Sequence, residues 1–177
     1  MKKIVLFALL GIVLASCQAN MAQKETKSTA PFSQLSDNQL MDKVQSDALK
    51  YFWDYAEPNS LLGRERYHED NIYPDNDKHV VTTGGSGFGL ATILVGVERG
   101  FIPRKEAVKR LTTMMNFLEK ADRFHGAWSH WINGETGKVV PFGRKDNGGD
   151  LVESAFLTSG ILMVREYLKT EMPKKKP

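Results

Sequence analysis

The chain has 177 residues, 41% of them hydrophobic and 25% charged, with a single cysteine and a formal charge of +3. One cysteine excludes an internal disulfide. Discounting Lys2 and Lys3 at the start and Lys174 to Lys176 at the end turns +3 into −2, a balance that implies no nucleic-acid-binding surface.

Lys2 and Lys3 precede an apolar run from Ile4 to Val13, and the small-residue stretch Leu14-Ala15-Ser16 leads into Cys17, as in a secretory signal. The run is too short to span a bilayer. A lone thiol at that place resembles the acylation site of a bacterial lipoprotein. Residues 1–17 are therefore expected to be a lipoprotein signal with Cys17 as the lipid attachment point, holding the mature chain in the bacterial cell envelope, on the outer membrane, at its periplasmic or surface side. Residues 18–35 are polar and suit a flexible tether, and residues 171–177 form a basic tail. The globular part is expected over 36–170.

Its pattern is helical. Ser36 with Gln39 three residues on reads as a capping box, and Leu40, Val44, Ala48, Tyr51 and Tyr55 follow at helical steps until Pro58. A second helix is expected from near Ser86, apolar nearly all round and stopped by Gly100. Pro103 opens a third, with Ala107, Val108, Leu111, Met114, Met115 and Leu118 on one face. The segment WSHWINGETGKVVPF alternates and turns at Asn133-Gly134, which predicts a short hairpin or structured loop. A fourth helix carries Leu151, Ala155, Leu157, Ile161, Val164 and Leu168 in phase.

Candidate chemistry gathers between the third and fourth helices. Trp128, Trp131, His125 and His130 run into Asp146, Asp150 and Glu153, and flat indole faces beside paired carboxylates are what cleavage of a sugar chain needs. Asp150 and Glu153 are also spaced as a capping box, a role that asks only for an acceptor. Gly148 and Gly149 leave room for a ligand near the backbone. A carboxylate crowded by two others is expected to hold its proton to higher pH, as a general acid does. Trp128 and Trp131 lie in a polar, glycine-bounded loop, which favours sugar contact for at least one of them, whereas Trp53 sits inside the first helix and reads as core.

No Cys, HExxH or acidic partner at ligand spacing accompanies the two histidines, so hydrogen bonding to sugar hydroxyls is expected of them and no metal. Thr82 to Gly89 lacks the Gly-Lys-Ser/Thr of a phosphate loop; its glycines read as a turn into the second helix, with Thr and Ser hydroxyls toward the cleft. Arg64 is placed on the same rim.

The stretches VVTTGGSGFGLATILVGVERGFI, FLEKADRFHGAWSHWINGETGKVVPF and DNGGDLVESAFL resemble the N-terminal part of the bacterial glycoamylase-like domain, grouped in glycoside hydrolase family 144 with β-1,2-glucanases. The resemblance runs from roughly Gln39 to Tyr167. It implies an all-α fold, part of an (α/α)6 toroid with about four helices visible and a short β-hairpin insertion at the active-site rim. It implies an inverting hydrolase of β-linked glucan that needs no metal or other cofactor, with Asp146, Asp150 and Glu153 among the essential acidic residues. Twelve helices of about a dozen residues need several hundred residues, so a truncated toroid is expected, with a further carboxylate downstream. The alternative is a non-catalytic, lipid-anchored glycan-binding protein or an inactive fragment.

Overall fold

The computed structural model describes residues 32–169. The expectations for Cys17, the signal, most of the tether and the basic tail lie outside them. A short 3-10 turn, Phe32–Gln34, belongs to a separate unit that runs to Leu35, and the second compact unit begins at Ser36.

Helix α1 spans Asp37–Trp53, and its start is the capping box read from sequence: the Gln39 backbone N–H donates to Ser36 Oγ at 3.4 Å and the Ser36 N–H to Gln39 Oε1 at 2.9 Å. The buried face differs from the expected stripe. Leu40, Val44 and Tyr55 are exposed, and the fully covered apolar residue is Leu49. In the C-terminal half of α1, Leu49 lies against Gly96 and Phe52 against Gly89 of the next helix. Trp53 packs on the core as expected, with the Arg110 guanidinium 4.6 Å from its ring centroid.

Strand β1, Val80–Thr82, leads directly into α2, Thr83–Glu98. The helix therefore starts three residues before Ser86, and the glycine run lies inside it rather than in a turn before it. The reason is packing. A Cβ on Gly87 would sit 2.3 Å from the Phe156 carbonyl oxygen, and one on Gly160 would sit 2.4 Å from that of Gly87. Glycines let α2 and α4, Leu151–Lys169, approach backbone to backbone, a contact whose gain exceeds the propensity cost of about 1 kcal/mol per glycine. Gly84 meets Glu153 at one end and Glu98 meets Tyr167 at the other, so the two helices run parallel. Gly100, at φ +73°, ends α2 as predicted.

Helix α3, Arg104–Lys120, buries Ala107, Leu111, Met114 and Leu118, the expected face. It returns the chain so that α4 can lie beside α2. After α3 come β2, Arg123–Phe124, and β3, Ala127–Trp128, joined through His125 (φ 51°) and Gly126 (φ 93°). Positive φ at both loop residues marks a tight hairpin of type I′ character. Strands β4, Trp131–Asn133, and β5, Val139–Val140, form the hairpin predicted around Asn133-Gly134, and β1 joins it in the antiparallel order β1-β4-β5. Val81 pairs with Ile132, and both are fully buried in the core beside Leu62, Leu90, Ile93 and Leu157.

The described residues are thus four helices with small antiparallel sheets at the N-terminal ends of α2 and α4. No described helix is long and apolar enough to cross a membrane.

Candidate functional site

Asp150 sits immediately before α4. Its Oδ1 accepts the backbone N–H groups of Val152 at 2.9 Å and Glu153 at 3.0 Å, so it is the N-cap expected from its position. Its Oδ2 lies 3.0 Å from His130 Nδ1. The Glu153 N–H does most to hold the Asp150 carboxyl below the usual carboxylate range; partial burial works against this, and the His130 ring and the Val152 N–H add to the lowering. The expectation that crowding raises it fails for Asp150, because hydrogen-bond donors face its oxygens. An ionised Asp150 can only accept, so His130 carries its hydrogen on Nδ1.

Asp146 comes from the turn that follows β5, where Gly143 and Asp146 pair. Its Oδ2 is 3.9 Å from His130 Nδ1. The His130 ring stacks on Phe142, with centroids 4.1 Å apart, and Phe142 meets the Trp131 edge at 4.8 Å. Glu153 does not complete the capping box with Asp150. Its Oε2 instead accepts the Gly84 N–H at the start of α2, at 2.8 Å.

The loop between β3 and β4 is tied to both helices. Asp150 N–H donates to Trp128 O at 2.8 Å, Thr83 N–H to His130 O at 3.2 Å and Thr83 Oγ to Ser129 O at 2.6 Å. Ser86 Oγ donates to Thr82 O and accepts the Gly63 N–H, so the Thr83 and Ser86 hydroxyls fasten the scaffold rather than face a cleft. His130, Asp146, Asp150 and Glu153 are therefore brought together at paired helix starts.

No family model matches the chain. It is 49% identical over 160 residues, 90% of its length, to an exo β-1,2-glucooligosaccharide sophorohydrolase (non-reducing end) of Parabacteroides distasonis. It is 56% identical, at a TM-score of 0.75 over 78% of the chain, to an endo-β-1,2-glucanase of Chitinophaga pinensis solved with sophorotriose and glucose. A β-1,2-glucanase structure from P. distasonis matches at 50% identity and a TM-score of 0.71, again over 78% of the chain. This chain is homologous to the β-1,2-glucanases. It spans 21% of the length of the sophorohydrolase and 33% and 19% of the two solved glucanases.

Within this glucanase homologue, the other residues singled out by sequence take different places. Trp128 packs on the core and donates its indole N–H to Leu118 O at 3.2 Å. Arg64 is buried, bonded to the carbonyls of Tyr55 and Lys78, and lies over Tyr73; it is built into the scaffold and not into the carboxylate group. His125 is exposed at the β2–β3 turn, edge-on to Phe124. Gly149 makes room for Ala127, and Gly148 lies against the Phe124 ring, so their openness serves hairpin packing. A cleft of about 180 Å³ opens beside them, lined by Asp122, Arg123, Phe124, Val139, Asn147 and Gly148.

His130, Asp146 and Asp150 offer donor atoms within 4.8 Å of one another. The sequence placed these three among the candidate site residues but showed no metal-ligand spacing. Two of the three already bond each other, and Asp150 Oδ1 is taken by two N–H groups, so the spacing is that of a hydrogen-bonded group. Sequence also missed Glu57, a fully buried carboxylate that bonds His79 Nδ1 at 2.9 Å, the Ser60 N–H at 2.7 Å and the Ser60 hydroxyl at 2.8 Å. The Glu57-x-x-Ser60 spacing was its one local signal.

Proposed function

We propose that this chain supplies one carboxylate wall of a cleft that hydrolyses β-linked glucose chains, β-1,2-glucan foremost, by an inverting acid–base mechanism. The observation that carries the reading is the convergence of His130, Asp146, Asp150 and Glu153 at the N-terminal ends of α2 and α4, within a segment 56% identical to an endo-β-1,2-glucanase. Trp131, with Phe142 and His130, supplies the aromatic edge for the sugar. Asp150 remains an anion that orients His130.

Separation limits the roles. An inverting pair stands about 6.5–9.5 Å apart to admit a water. One carboxylate oxygen of Asp146 and one of Asp150 lie within 4.8 Å of each other, closer than that spacing, so these two are not proposed as each other's acid and base. The proposed couple pairs one carboxylate of this wall with another supplied from across the cleft.

The test is a chimera in which residues 36–169 replace the matching segment of the Chitinophaga enzyme. Asp146→Asn, Asp150→Asn and Glu153→Gln are expected to fold, with at least two losing more than about 100-fold in glucanase activity. Near-parental turnover by all three would leave the chain a glycan-binding relative.

The envelope location is proposed on the run Leu14-Ala15-Ser16-Cys17 alone. Cys17→Ala should release the protein from the detergent phase; unchanged partitioning would remove the lipid anchor.

A further inference from the structure

The first turns of α2 and α4 meet at a single hydrogen bond. Glu153, half-buried, takes the Gly84 N–H on Oε2, and a Cβ built on Gly84 would lie 2.6 Å from that same oxygen. Thr82, the N-cap of α2, makes no side-chain cap bond. Glu153 therefore caps α2 from a different helix. Among the described residues its Oε1 accepts no hydrogen bond, which leaves one oxygen anchored and the other open. The approach is fixed one turn further on by Gly87 and Gly160, whose backbones touch the opposite helix.

We propose that Gly84 is a positioning residue for Glu153: its N–H aims the carboxylate, and its missing side chain leaves the space that the carboxylate occupies. This rests on the reading of Glu153 as part of the hydrolytic wall. Position 82 already holds Thr, a residue able to cap, yet its side chain makes no cap bond and the acceptor comes from α4. Placing the acceptor on α4 instead makes the start of one helix locate an acidic side chain of another, next to Asp150 and His130.

Two measurements test it. The first uses the full chain and no activity. Gly→Ala within a helix ordinarily stabilises, so Gly84→Ala should raise Tm in a Glu153→Ala background and raise it less, or lower it, when Glu153 is present and must give up its place. An equal change of Tm in both backgrounds would overturn the clash, and with it the proposal. The second uses the chimera. Gly84→Ala should lower kcat by about 100-fold, the scale of a 1 Å misplacement, and leave KM within about threefold. Adding Glu153→Asp, which withdraws the carboxylate by one methylene, should restore part of kcat. Unchanged kcat in Gly84→Ala while Glu153→Gln is inactive would overturn the positioning role. Full activity in Glu153→Gln would instead sink the functional reading, and the Tm difference between the two backgrounds would then show whether Gly84 still sets the carboxylate.

Discussion

Single side chains in this protein do two jobs, and substitution separates them. Asp150 is both an N-cap and the partner of His130. Asn caps about as well as Asp, so Asp150→Asn should keep most of the stability, whereas Asp150→Ala should lose about 1 kcal/mol in a denaturant titration. Trp128 and Trp131 divide in the same way. Trp128→Ala removes a core contact and should cost about 3–5 kcal/mol, while Trp131→Ala should leave Tm near the parent and weaken glucan binding by the chimera. Equal losses of stability would make both tryptophans core.

Glu57 gives a pH prediction with a defined sign. Burial pushes its carboxyl up, but the Ser60 N–H, His79, the Ser60 hydroxyl and Asn59 outweigh it and hold the group below its ordinary value. A carboxyl lowered in the folded state stabilises the fold above its unfolded pKa, about 4.3, and that contribution is lost as pH falls through the lower folded value. Wild type should therefore lose more stability between pH 5 and pH 3 than Glu57→Gln does, by denaturant titration. At pH 7, Glu57→Ala should cost about 3 kcal/mol, because it leaves buried donors without an acceptor.

At the scale of elements, the α2–α4 contact decides where the carboxylates stand. Gly87→Ala forces a methyl against the Phe156 carbonyl, a backbone atom that cannot swing aside. It should destabilise by about 1–3 kcal/mol or more, measured as a fall in Tm, despite the better helix propensity of alanine. An unchanged or higher Tm would mean that the helices have slack to separate. The hairpins obey a similar logic. Gly134 adjoins Glu57, where a Cβ would lie 2.6 Å from Oε2, so this glycine answers to packing and not to a positive φ.

Over the whole molecule, Leu40, Met41 and Val44 on α1, Phe88 and Val95 on α2, and Leu151, Val152, Phe156, Leu162 and Met163 on α4 are exposed. Phe88 and Phe156 among them are neighbours, with ring centroids 5.2 Å apart, and exposed apolar side chains gathered into a patch bind each other or another partner. The full chain should bind a hydrophobic dye and self-associate on gel filtration. It covers about a third or less of its glucanase relatives, and under the one-wall proposal it should show no hydrolysis of β-1,2-glucan by itself. Robust turnover would overturn the one-wall proposal.

The sequence by itself determined what depends on neighbours along the chain. The Ser36 capping box, the apolar face of α3, the Gly100 stop, the β4–β5 hairpin and the Asp150 cap are each set within a few residues by backbone hydrogen bonding and periodicity. It also carried the β-1,2-glucanase resemblance, through three stretches of local motif. Only the tertiary structure decided which face of α1 is covered, that the glycines of α2 belong inside a helix, that Arg64 and Trp128 serve the scaffold, and that Glu153 bonds Gly84 and not its own cap. Those outcomes turn on contacts between residues tens of positions apart. Helical spacing shows which residues share a face, but whether that face meets backbone, side chain or solvent is fixed by the helix that lies against it.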